Sequence, residues 1–132
     1  MRHFTPEEAN AALGPVRPLV ERMVAHRRAH AAAVERQEQL EGHIRGNGGD
    51  IAPATLAEAG AEIEREAREL ARLVDEIAEH GPEVKDLDEG LIDFPALRQG
   101  ETVLLCWKLG EDEIRYWHRI EDGFGGRRPL PL

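Results

Sequence analysis

Between Pro53 and His80, apolar or small residues recur at Leu56, Gly60, Ile63, Ala67, Leu70, Val74 and Ile77. Steps of alternately four and three residues draw one stripe down one face of an α-helix, the pattern of coiled-coil seams. Pro53 and Thr55 suit the start of this helix, and His80-Gly81-Pro82 its end. Such a stripe is stable only when covered, so the rest of the chain is first read for what could cover it.

The preceding residues supply one cover. Phe4-Thr5-Pro6-Glu7-Glu8 reads as a helix start, with Thr5 as cap and Glu8 three residues on as in a capping box. Gly14-Pro15 predicts a break, because proline lacks the amide donor and disfavours helix in the residue before it. The expectation is a short N-terminal helix within 1–14, then a second helix from Pro15 to about Arg45, stopped by Gly46-Asn47-Gly48-Gly49. Its seam is Val16, Val20, Met23, Val34, Leu40 and Ile44, interrupted by Arg27, His30 and Gln37. Together the two long helices form an antiparallel hairpin over 15–80. Helix 54–80 should be about 40 Å long, whereas a strand of five to seven residues spans about 17–24 Å. A hairpin longer than its sheet leaves part of the seam bare, which predicts a homodimer through the long helices.

After Pro82 the period changes to two, with turn signals at Asp88-Glu89-Gly90, Gln99-Gly100 and Gly110-Glu111. Four antiparallel strands are expected, near 83–87, 91–97, 101–108 and 113–119. Two-residue loops at the last two turns put Phe94 opposite Leu105, Ile92 opposite Trp107, Trp107 opposite Ile114, Leu105 opposite Tyr116, and Val103 opposite His118. One face then gathers Ile92, Phe94, Ala96, Val103, Leu105, Trp107, Ile114 and Tyr116 and packs on the helices, with His118 at its edge. On the other face Asp93 lies opposite Cys106, and Cys106 opposite Arg115, among Leu104, Pro95 and Trp117. The first turn leaves two registers open, one with Asp86 beside Asp93 and one with Lys85 there. The tail, 120–132, is rich in Gly, Arg and Pro. It is either a mobile terminus or a flap in which Phe124 folds over the polar sheet face and brings Arg127 near Asp93 or Glu111. The fold class is therefore α+β in one domain: a helical hairpin, then a small four-stranded sheet over 83–119.

Charge narrows the function classes. A formal net charge of -9 on 132 residues argues against a phosphate-backbone partner, so no nucleic acid is expected. No stretch of about 18 apolar residues and no signal-peptide run is present, so a cytoplasmic acidic protein without a membrane partner is expected. One cysteine makes no internal disulfide. His26 and His30 share a helix face but lack the glutamate of a zinc-protease motif, and read as ordinary surface histidines. Glu62, Glu66, Glu69, Glu76 and Glu79 lack the Glu-x-x-His partner of a di-iron bundle and read as a solvated face. Asp86-Leu87-Asp88-Glu89-Gly90 misses the glycine and glutamate positions of a calcium loop. Cys106, flanked by Leu105 and Trp107, reads as a packed thiol rather than a nucleophile.

Several of these motifs occur together in a known group. Phe4-Thr5-Pro6-Glu7-Glu8-Ala9-Asn10, Lys85-Asp86-Leu87-Asp88 with Gly90-Leu91-Ile92-Asp93-Phe94-Pro95, Leu105-Cys106-Trp107 with Gly110-Glu111, Trp117-His118, and Gly123-Phe124 with Arg127 resemble a small prokaryotic family of uncharacterised conserved proteins. The resemblance covers nearly the whole chain and implies a shared fold and a shared patch, without an activity. It makes Lys85, Asp93, Cys106, Trp107, Glu111, Trp117, His118 and Arg127 candidate ligand-binding residues. The leading reading is a non-enzymatic, dimeric binding module with a small polar ligand or protein partner on the sheet and no cofactor. A second reading is a divalent-metal protein or metal-dependent enzyme using Asp86, Asp93, Glu111 and His118. A third is an anion-binding protein using Arg115, Arg119, Arg127 and Arg128.

Overall fold

The computed structural model describes residues 2–47 and 50–132. Two α-helices, α1 (Pro6–Asn47) and α2 (Pro53–Glu79), precede an antiparallel sheet of β1 (Glu83–Asp86), β2 (Leu91–Arg98), β3 (Glu101–Lys108), β4 (Tyr116–Arg119) and β5 (Arg128–Pro129). A 3-10 turn at Phe124–Gly126 separates the last two strands. The sheet order is the chain order, β1-β2-β3-β4-β5. The α+β reading therefore holds, with one strand more than the expected four. Of the glycine stop expected after the first long helix, Gly48 and Gly49 lie outside the described residues. Neither helix is long and apolar enough to cross a membrane.

The expected break at Gly14-Pro15 does not occur: α1 runs on with Pro15 and Pro18 inside it. The carbonyls left without a donor belong to Ala11 and Gly14, four residues earlier, and both residues are exposed, so water can satisfy them. Gly14 has no Cβ to collide with the Pro15 ring. Leu13, Val16 and Val20 are buried on the opposite side, and that packing outweighs the local penalty. The start is as expected, with Glu8 N–H donating to Thr5 Oγ1 at 3.1 Å and Thr5 N–H to Glu8 Oε1 at 2.9 Å.

The chain forms two compact units, Met1–Val24 with Leu73–Leu132, and Ala25–Arg72. In the first, the ends of both helices and the sheet share a core of Leu13, Val16, Val20, Met23, Leu73, Ile77, Ile92, Phe94, Leu105 and Trp107. Phe4 anchors it: its ring meets Phe94 edge-on at 5.1 Å, and its N–H donates to the Pro95 carbonyl at 2.7 Å. Gly81, which ends α2 at φ +112, lies directly under that ring, where any Cβ would be 2.1 Å from a Phe4 carbon. In the second unit the two helices pack with Ala33, Ala59 and Leu70 buried. There His26 pairs with Glu66 at 2.6 Å and Arg36 with Glu62 at 2.5 Å.

The β2–β3 register is the one expected, with Ile92 opposite Trp107, Asp93 opposite Cys106 and Phe94 opposite Leu105. The β3–β4 register is not. Leu104 faces His118, Leu105 faces Trp117 and Cys106 faces Tyr116, one residue away from the expected pairing. The chain between Leu109 and Arg115 is longer than a two-residue loop. Asn10 on α1 holds it, its Oδ1 accepting the Ile114 N–H at 2.7 Å and its Nδ2 donating to the Ile114 carbonyl at 3.4 Å. Ile114 still reaches the core, but as a loop residue. A one-residue slip exchanges the faces of every β4 side chain. Trp117 thus joins the helix-facing side, and Tyr116 and His118 leave it.

Candidate functional site

The slip in β4 creates the main polar feature of the sheet. Asp93 on β2, Cys106 on β3 and His118 on β4 share the face away from the helices, and all three are buried, at 2%, 0% and 3% exposure. One ligating atom from each lies within 4.8 Å of the others. His118 sits diagonally across the β3–β4 ladder from Cys106, two residues along from Tyr116, so adjacent strands suffice to bring the three together.

The imidazole is held at both ends. Its Nδ1 lies 2.7 Å from the Arg119 carbonyl, a group that can only accept, so Nδ1 carries a proton. Its Nε2 lies 3.3 Å from both carboxylate oxygens of Asp93. Burial raises the Asp93 carboxyl above the usual aspartate range, although His118, the Cys106 thiol and Lys85 pull the other way. Burial, reinforced by the neighbouring Asp93 charge, pushes the Cys106 thiol up to about 12. A thiol held there is protonated at neutral pH and a poor nucleophile.

Beside the three residues is a cavity of about 150 Å³, lined by Lys85, Leu91, Asp93, Leu104, His118, Ile120, Gly123 and Phe124. Asp93 and His118 supply its polar wall. The β1 register is neither of those expected: Glu83 pairs with Asp93, Val84 with Ile92 and Asp86 with Leu91, so Lys85 is the extra residue of a bulge. The Lys85 ammonium lies 3.1 Å from Glu83 and lines the cavity on the Asp93 side.

The remaining candidates serve other ends. Asp86 Oδ1 accepts the N–H groups of Asp88 and Glu89 at 2.8 and 3.3 Å, which makes Asp86-Leu87-Asp88-Glu89 a side-chain-closed turn. Gly90, at φ +68, completes it where a Cβ would be 2.9 Å from both Val20 and Leu109 side chains. Trp107 lies in the core, with its indole N–H donating to the Glu111 carbonyl at 3.1 Å and Arg17 stacked 5.2 Å above the ring. Glu111 accepts the Lys108 N–H at 2.7 Å and takes Arg127 in a two-pronged pair at 2.6 and 2.8 Å. Burial alone would raise the Glu111 carboxyl, but the Arg127 guanidinium and the Lys108 amide outweigh it and hold it below the usual range.

Arg127 also donates to the Cys106 carbonyl at 3.2 Å and stacks on Tyr116 and Phe124 at 4.3 and 4.5 Å. The tail therefore folds over the polar face, as the second of the two tail readings has it, with Glu111 rather than Asp93 as the partner of Arg127. Trp117 is buried between Arg98 and Arg128, whose guanidinium carbons lie 4.8 and 5.4 Å from its ring. Of the three acids and one histidine in the metal reading, the structure brings together Asp93 and His118. Asp86 closes its turn and Glu111 its ion pair, and Cys106 completes the group instead. Of the four arginines in the anion reading, Arg127 is paired with Glu111 and Arg115 lies 3.3 Å from Glu113. Placing His118 with Cys106 required one more residue in the loop after Trp107.

A family model described as "Uncharacterized conserved protein (DUF2203)" matches residues 2–130. The chain belongs to this family. No curated protein and no solved structure matches it significantly. In this DUF2203 chain the motif residues fall into two sets. Asp86, Gly90, Trp107, Glu111 and Arg127 lock the turns and the tail, while Asp93, Cys106 and His118 form the buried polar group beside the cavity.

Proposed function

We propose that the protein is a dimeric binding module that holds a small ligand in the cavity over Asp93 and His118. The observation that supports this most is the cavity's composition: two buried polar groups on one wall, Lys85 at the rim, and Leu91, Leu104, Ile120 and Phe124 around the rest. Few convergent polar groups in an apolar hollow is the usual make-up of a ligand site. At about 150 Å³ it suits a molecule displacing roughly five waters, not a nucleotide or a peptide. The dimer part rests on the Ala25–Arg72 unit. Val34, Leu40, Ile44, Leu56 and Ile63 are all half-exposed there, although they belong to the apolar stripes of the two helices. A second hairpin laid against them would complete a four-helix arrangement.

Ile120, itself 61% exposed, lines the cavity and can be enlarged without disturbing the core. Saturation-transfer NMR with acetate, formate and imidazole should show contact with the wild-type chain and lose it in Ile120→Trp. Equal signals in both proteins would remove the cavity reading. Light scattering should give twice 14.8 kDa, and Leu56→Ser with Ile63→Ser should halve it. A wild-type mass of one chain at micromolar concentration would remove the dimer.

A further inference from the structure

We infer that Asp93, Cys106 and His118 together bind one divalent transition-metal ion of the zinc class, with the cavity as its open coordination position. The inference rests on the same site as the ligand-binding reading but not on that reading being right. It starts from a conflict between acceptors. With Nδ1 donating to the Arg119 carbonyl, a neutral His118 presents its Nε2 lone pair to the Asp93 carboxylate, which is also an acceptor. Two acceptors 3.3 Å apart in a buried place need something positive between them. A hydrogen-bonded backbone carbonyl behind the distal ring nitrogen is the usual support of a metal-bound histidine.

The donor set favours one class of ion. One imidazole nitrogen, one sulfur and one carboxylate oxygen are the three ligand types of zinc, and a sulfur ligand disfavours magnesium and calcium. Thiolate and carboxylate would neutralise a divalent charge in a site that excludes bulk water. Three protein ligands with a fourth position left to water or a small molecule is the arrangement of reactive zinc sites, whereas structural sites are closed by four. Here the wall formed by Asp93 and His118 opens on the cavity, and Lys85 at its rim suits an anionic fourth ligand. All three residues come from adjacent strands of a rigid sheet, so little ordering is needed on binding.

The test uses the full chain without an affinity tag, stripped with chelator and titrated with Co²⁺ and then Zn²⁺. The expected result is one Co²⁺ per chain with a thiolate-to-cobalt charge-transfer band in the near ultraviolet, displaced by one equivalent of Zn²⁺. Cys106→Ser should abolish the band, and Asp93→Asn and His118→Gln should each weaken Zn²⁺ binding at least about tenfold, with unchanged circular dichroism as the check on folding. The absence of Co²⁺ binding, or Co²⁺ binding that shows no charge-transfer band and is unchanged in Cys106→Ser, overturns the inference, because the conflict is then settled by a shared proton. Acetate contact that persists in the metal-free chain would leave the cavity reading standing in that case. A cobalt band without acetate contact would do the reverse.

Discussion

The two compact units of this chain are built of the same helices but stabilised in opposite ways. The unit containing the sheet buries large side chains completely, Trp107, Phe94, Met23 and Ile92 among them. It is also stitched by contacts across the sequence, such as Asn10 to Ile114 and Phe4 to Pro95. The Ala25–Arg72 unit buries two alanines and one leucine among its described residues, and carries ion pairs such as Arg65–Glu58 at 2.9 Å on its surface. Exposed pairs contribute about 0–1 kcal/mol each, and a fully buried large apolar side chain about 1.5–3 kcal/mol. A regular heptad stripe therefore says where a helix wants a partner, not how much of its stability it already holds.

The largest expected effect tests that contrast directly. Phe94→Ala should cost about 3–5 kcal/mol, read as the denaturation midpoint at constant slope. Ile63→Ala, half-exposed in the hairpin, should cost under about 1.5 kcal/mol at concentrations where the chain is monomeric. Equal losses would show that the hairpin core is as firm as the sheet core. Next comes Gly81→Ala, which places a methyl group into the Phe4 ring at a left-handed backbone angle and should cost about 2–4 kcal/mol. Asn10→Ala should cost about 2 kcal/mol, since it leaves the buried Ile114 N–H without an acceptor. Amide exchange should then quicken in β4 and stay unchanged in Ala25–Arg72.

A smaller effect concerns acid. The folded Glu111 carboxyl is held below its ordinary value of 4.5 by Arg127. Its contribution is therefore complete above that value and is lost as pH falls through the depressed folded one. Glu111→Gln should be less stable than wild type at neutral pH by about 1 kcal/mol, and the gap should close on acidification. A gap that stays constant down to low pH would mean that the tail is held by stacking on Tyr116 and Phe124 alone. The smallest effect belongs to the hairpin surface, where Arg36→Ala should change stability by less than about 1 kcal/mol.

The parts of the fold that could be read from the sequence are those decided by neighbours in the chain. The α2 stripe, the Thr5–Glu8 cap and the β2–β3 hairpin around Gln99-Gly100 all depend on residues a few positions apart. The misread parts depend on residues far away. Local rules end a helix at Gly14-Pro15, and only the packing of Leu13, Val16 and Val20 carries it through. Gly110-Glu111 looks like a two-residue turn until Asn10, 104 positions from Ile114, takes hold of the loop. The register beyond that loop turns His118 to the other face of the sheet, so the composition of the site was beyond any reading of local pattern. The folded tail was legible as an alternative, since Phe124 and Arg127 offered the means, but its partner, Glu111, could not be chosen without the structure.

The sheet is also poor material for a fibre. One outer strand is kinked at Lys85 and carries Glu83, Lys85 and Asp86. The other is two residues long and ends in Pro129, which has no amide hydrogen to offer a newcomer. An approaching strand from a second molecule would find charge on one flank and almost no ladder on the other.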